Sequence, residues 1–190
     1  MSRRIVIDGN IASGKSTQFD MLAKQGYSVL SERIYDWPLE LFYTDPKRWA
    51  FLLQFSILKS FHTHRNQFKI FERSPESSRD VFWKMLVTDG VVTKEEDEVY
   101  QYFWDINGWS PNIYIYIFTP PEVCFERLKS RHQDGDSHIT LEYLQKVSLY
   151  YINYIRKKPN VHIIDGTLSS EKINNKIKDI LGQCLEDAQG

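Results

Sequence analysis

The residues whose types and spacing most plainly carry chemistry lie near the start of the chain. Gly9-Asn10-Ile11-Ala12-Ser13-Gly14-Lys15-Ser16 fits G-x-x-x-x-G-K-[ST] without a mismatch. Glycines at these positions let backbone N–H groups curl around phosphate oxygens at a positive helix N-terminus. Lys15 then reaches the β and γ phosphates, Ser16 offers a hydroxyl to Mg²⁺, and Thr17 follows at the start of the helix. The pattern predicts binding of ATP or GTP without naming the reaction. A guanine reader needs Asn-Lys-x-Asp, and the nearest string, Asn175-Lys176-Ile177-Lys178, lacks the aspartate. A small-molecule kinase is therefore the expected class. Further charged groups stand where such a reaction could use them: Glu32, the Glu72-Arg73 pair, and Arg127 with Arg131. On their own chemistry Glu32 reads first as an exposed strand-end carboxylate and Glu72-Arg73 as a surface ion pair, while Arg127 and Arg131, at i and i+4, share one helix face.

These groups need a frame. Short β-branched and aromatic runs alternate with longer helical patterns, which is the mark of a parallel sheet covered by helices. Strands are expected at Arg4 to Ile7, Tyr27 to Leu30, Phe68 to Glu72, Asn112 to Phe118 and Val161 to Ile164. Helices are expected over 15–25, 46–65, 75–88, 93–106, 121–132, 140–157 and 170–181. Thr93 with Glu96 fits a capping box, and Thr119 before Pro120 fits an N-cap with proline at the first helical position. The expected fold is α/β and P-loop NTPase-like. It has a five-stranded parallel sheet flanked by helices, forming a single domain over residues 1–190.

Composition narrows the classes further. The chain has 190 residues, with 24 Lys plus Arg against 25 Asp plus Glu. That balance argues against a dedicated nucleic-acid or anionic-membrane binder. Two cysteines, Cys124 and Cys184, make no disulfide framework and point to a reducing compartment. No apolar run approaches the roughly 20 residues that span a bilayer, and no signal or transit segment is read at the N-terminus. A cytoplasmic protein is expected. His62 and His64, two apart on a helix, diverge and so make a poor metal pair.

Five segments together resemble the deoxynucleoside kinases, and the likeness extends over nearly the whole chain. Besides the phosphate loop, Glu32-Arg33-Ile34-Tyr35-Asp36-Trp37 is similar to the family's Glu-Pro-Val-x-x-Trp segment, with the proline missing. The resemblance implies that Glu32 is the base for the nucleoside 5′-hydroxyl and that Trp37 walls the pocket. Glu72-Arg73-Ser74 looks like the family's Glu-Arg-Ser motif. It implies a Mg²⁺ role for Glu72 opposite Ser16, and for Arg73 charge neutralisation and an ion pair with Glu32. Tyr43 through Gln54 resembles the nucleoside-reading helix, which implies that Gln54 pairs with the base and Tyr43 contacts the sugar 3′-oxygen. Phe82 corresponds to a residue that stacks on the base; taken alone, it is more often core. Arg127 and Arg131 resemble the start of an Arg-rich lid, about 127–139, that grips a triphosphate. Gln133 replaces a commonly seen third arginine, and Asp136 stands where the family has a glutamate bonding the 3′-hydroxyl.

The same resemblance bears on substrate. Members that prefer purines or cytidine carry an aspartate where this chain has Ser78, and thymidine-accepting members carry a small residue there. Ile57 and Phe61 fall at positions lining the base edge, and both are apolar. The implied reaction is ATP-dependent phosphorylation of a pyrimidine deoxynucleoside, thymidine first and deoxycytidine second, by a Mg²⁺-dependent homodimer. Two rivals stay open on the sequence. One is a thymidylate kinase, which must also grip a monophosphate. The other is an ATP-binding regulator without turnover.

Overall fold

The computed structural model describes residues 4–67, 69–131 and 136–186. Five parallel strands, β1 (Ile5–Gly9), β2 (Val29–Leu30), β3 (Ile70–Glu72), β4 (Ile113–Phe118) and β5 (Val161–Asp165), form one sheet in the order β2-β3-β1-β4-β5. Strand β1 is central and buried throughout, which explains its unbroken apolar run. Side chains alternate faces along each strand. Ile5, Ile7, Ile115 and Ile117 pack toward Phe19, Leu22, Ile173 and Ile177. Val6, Phe71, Tyr114 and Tyr116 pack on the other side, with Leu53, Ile57, Val81 and Tyr151.

The helices are α1 (Lys15–Lys24), α2 (Leu39–Thr44), α3 (Pro46–His64), α4 (Pro75–Ser77), α5 (Lys84–Thr88), α6 (Lys94–Asn107), α7 (Pro121–Arg131), α8 (Leu141–Ile155) and α9 (Ser170–Glu186). Their starts are legible in chemistry. Asp45 accepts from the Arg48 amide at 3.3 Å with Pro46 at the first position, and Thr140 accepts from the Tyr143 amide at 3.2 Å. The expected Thr93–Glu96 box is present, with bonds of 2.7 and 3.2 Å.

Several boundaries differ from expectation. Strand β1 continues through Asp8 to Gly9, and only two residues of the Tyr27–Leu30 run pair with β3. Phe68 lies outside the described residues. Helix α2 forms where no helix was expected. The helix expected over 75–88 is not regular: Ser78–Trp83 is a π-helical segment between α4 and α5. Thr119 is not the cap of α7. The Pro120 carbonyl accepts the first helical bond, from the Cys124 amide at 3.0 Å, so Pro121 begins the helix. The Thr119 hydroxyl instead donates to the Ser13 carbonyl at 3.1 Å, tying α7 to the phosphate loop. Among the described residues no helix is long and apolar enough to cross a membrane.

Candidate active site

The phosphate loop connects the carboxyl end of β1 to α1, where an open α/β sheet presents its ligand-binding groups. Glycine is required at position 9 by close approach. A Cβ there would sit 2.6 Å from both the Ile117 carbonyl oxygen and Ser13 Oγ. Gly14 and Ala12 take positive φ values of 103° and 58° to close the turn. Lys15 is buried and curls back, donating to the carbonyls of Asn10 at 2.8 Å and Gly9 at 3.2 Å. Burial first, then the Arg73 charge, pushes its amine below the usual lysine range. Asn10 is spent on the scaffold: its amide donates to the Leu144 carbonyl at 2.9 Å and its oxygen accepts from the Ile11 amide. Ile11, Ala12, Ser13, Gly14, Ser16 and Thr17 all line the main cavity.

A buried cluster of charges stands beside the loop. Glu32 and Arg73 pair at 2.7 Å through the guanidinium Nε. Glu72 accepts from the Glu32 amide at 3.1 Å and from Ser16 Oγ at 3.4 Å. Burial, then the neighbouring Glu32 charge, raises the Glu72 carboxyl above its ordinary range. Arg73 itself is in the left-handed backbone region, φ 64°, which a non-glycine residue adopts at a cost of about 1–3 kcal/mol. Its guanidinium carbon lies 4.8 Å from the centre of the Phe82 ring.

A cavity of about 560 Å³ opens from the loop. That volume suits a small organic ligand. Trp37, Tyr43, Gln54, Ile57, Ser78 and Phe82 line it together with Glu32 and Arg73. Gln54 is buried, and its carbonyl oxygen has no hydrogen-bond partner; Trp37 Nε1 is likewise unpartnered. Such groups are costly unless something arrives to satisfy them. Phe61 is the exception. It packs edge-on against Trp109, ring centres 6.0 Å apart, because one turn beyond Ile57 the face of α3 has left the cavity for the core.

Arg127 and Arg131 both reach the cavity, but not as a matched pair. Arg127 bridges the carbonyls of Ser13 at 3.1 Å and Gly166 at 2.9 Å, clamping the loop to the turn after β5. Arg131 makes a two-pronged bond to Asp136, at 2.8 and 2.7 Å. The two expected lid arginines thus bond different protein groups, Arg127 the carbonyls of Ser13 and Gly166 and Arg131 the Asp136 carboxylate. Gln133, part of the expected lid, lies outside the described residues.

Comparison with known proteins bears on the family and the fold. A family model described as deoxynucleoside kinase matches residues 5–187. The chain belongs to the deoxynucleoside kinase family. It is 36% identical over 186 residues to protein 029R of Invertebrate iridescent virus 3, named as a candidate kinase; the match covers 94% of this chain and 96% of that one. It is 31% identical over 163 residues to mitochondrial thymidine kinase 2 of Homo sapiens, covering 75% and 60% of the two chains. A solved deoxyadenosine kinase from M. mycoides with bound dCTP has a TM-score of 0.83 at 22% identity, covering 95% and 99%, and so shares the fold. The enzyme is a kinase that phosphorylates nucleosides.

Sequence reasoning missed residues that pack against the candidate site. Asp8, Tyr114 and Tyr151 form a buried polar group directly behind Arg73. The signal was present in Asp8, a lone carboxylate closing an apolar strand run, but the two tyrosines sit in patterns that read as core. His138 was also missed. It stacks on Tyr43, ring centres 5.1 Å apart and planes 11° apart, from a short 3₁₀ turn that no pattern announced.

Proposed function

We propose that the enzyme transfers the γ-phosphoryl group of ATP to the 5′-hydroxyl of a pyrimidine deoxynucleoside, thymidine first and deoxycytidine second. One observation carries this reading: the Glu32 carboxylate, held by Arg73 at 2.7 Å, lines the same cavity as the phosphate loop and Gln54. A carboxylate there accepts the hydroxyl proton as the oxygen attacks phosphorus. The unpaired Gln54 oxygen supports a base with a hydrogen-bonding edge, Phe82 supports stacking, and Trp37 supports a wall to the pocket. Ile57 and a buried Ser78, with no carboxylate at either position, favour the thymine methyl over an exocyclic amine. Tyr43 supports a sugar contact; Asp136 serves the 3′-hydroxyl only while shared with Arg131.

The Ser16 hydroxyl and the Glu72 carboxylate oxygen, 3.4 Å apart, are hard oxygen donors that fit Mg²⁺, and these two residues would hold it. Bound there, the ion would supply charge neutralisation for the phosphoryl group being transferred. Lys15, Arg73, Arg127 and Arg131 supply the remaining positive charge, the last two from a lid over about 127–139. A homodimer acting on small molecules accords with the same reading.

The test is turnover of ATP·Mg²⁺ with thymidine, deoxycytidine, deoxyadenosine, deoxyguanosine and thymidine monophosphate, with Glu32→Gln in parallel. Thymidine is expected to be the best substrate, and Glu32→Gln to lower kcat by about 10²–10⁴-fold. Turnover of the monophosphate alone, or full activity in Glu32→Gln, would overturn the reading.

A further inference from the structure

The buried group behind the active site has a specific geometry. Asp8 is fully buried, and its two carboxylate oxygens are divided. Oδ2 accepts from the Tyr114 hydroxyl at 2.7 Å. Oδ1 accepts from the Tyr151 hydroxyl at 2.7 Å, from the Gly9 amide at 2.8 Å, and from Arg73 Nη1 at 3.3 Å. Arg73 Nη1 also donates to the Tyr151 hydroxyl and to the Gly9 carbonyl, the latter at 3.0 Å. On its other side, Arg73 Nε holds Glu32. The chain of contacts therefore runs from Tyr114 and Tyr151 through Asp8 to Arg73 and on to Glu32. It draws on β4, β1 and α8 and on the residues that follow β3 and β2.

We propose that Asp8, held by Tyr151 and Tyr114, is the positioning residue that aims Arg73 and, through it, the Glu32 carboxylate. Three features favour this over a role in stability alone. Arg73 sits in a left-handed backbone conformation, so its side chain enters the site from an unusual direction and needs fixing at its far end. The Gly9 carbonyl accepts from both Arg73 and Lys15, so the same group registers the phosphate loop against the base. Phe82 meets Tyr151 edge-on at 6.0 Å, which brings the cavity wall onto the same tyrosine. Small misplacements of a reacting group cost large factors in rate, so a fixed guanidinium is worth building. This inference rests on Glu32 being the base.

A double-mutant cycle tests it. Tyr151→Phe removes one hydroxyl and keeps the ring. It is expected to lower kcat about 10–100-fold while the KM values for thymidine and ATP stay within about twofold. In a Glu32→Gln background the same change is expected to cost less than about twofold, because a residue that acts through Glu32 has nothing left to aim. Asp8→Asn, which keeps the side chain's shape, is run through the same cycle, so a folding failure in one variant leaves the other decisive. Equal losses in both backgrounds, or losses confined to KM, would overturn the positioning role. Full activity of Glu32→Gln alone would instead sink the base assignment.

Discussion

Gln54 sits at the meeting point of stability and function, and replacing it with methionine should move the two in opposite directions. The side chain is buried on α3, and its carbonyl oxygen has no protein partner. Leaving such an acceptor unpaired costs about 1–3 kcal/mol. Methionine fills nearly the same volume without that oxygen. For a chain of this length each kcal/mol moves Tm by about 2–4 °C, so ligand-free Gln54→Met is expected to melt about 2–12 °C higher. Catalysis should fall. Losing one donor and one acceptor to the base, and stranding the base's own polar edge, costs about 2–5 kcal/mol. At about 1.4 kcal/mol per tenfold, kcat/KM for thymidine drops by about 30- to 4,000-fold. The KM for ATP should stay within about twofold, since the loop is untouched. Calorimetric melting without ligand and steady-state turnover measure both sides. A lowered Tm together with kcat/KM within about threefold of the parent would refute the reasoning, because the amide would then be a structural part of α3.

Two further perturbations probe the site independently. Burial and Glu32 hold the Glu72 carboxyl above its ordinary range, so the folded state favours its protonated form. Its stabilising contribution is full below about pH 4.3 and is lost as pH rises through the raised folded value. The difference in Tm between the parent and Glu72→Gln should accordingly shrink, then reverse, from pH 4 to 8; a flat difference would sink the claim. Ser78→Asp places a carboxylate in the cavity wall and should raise the ratio of kcat/KM for deoxycytidine over thymidine by about 10- to 200-fold. An unchanged ratio in competition assays would remove Ser78 from substrate choice.

The phosphate loop and the sheet were legible because local rules fix them. A strand buried on both faces is written as an apolar run, and a loop that wraps phosphate needs glycine where a Cβ would strike Ile117 and Ser13. Glu32, Glu72 and Arg73 stand at strand ends, but it was the likeness of their segments to the family's motifs that marked them as candidates. What eluded the sequence depends on contacts between distant segments. Phe61 and Ile57 lie on similar faces of one helix, and only the packing of Trp109 decides that Phe61 leaves the cavity. Thr119 and Pro120 spell a cap, but the loop's Ser13 carbonyl competes for the hydroxyl and wins. Asp8 and its tyrosines are 106 and 143 positions apart, a separation that residue spacing cannot express.

The wide turn at Ser78–Trp83 divides one helix into two regimes. Before it, Ser74 and Ser77 bond each other reciprocally at 3.0 and 3.1 Å and lock the segment to the end of β3. Beyond it, α5 carries Met85 into the core and Leu86 to the cavity rim. A π segment bonds residue i to i+5 rather than i+4, so its turn is wider than those of the α-helices on either side. Ser78 and Phe82, the residues proposed to face the base, both lie on it. Under the proposed function, the contacts to the base rest on this widened turn, while Lys15 at the start of α1 and Arg73 after β3 act on the phosphate from other elements.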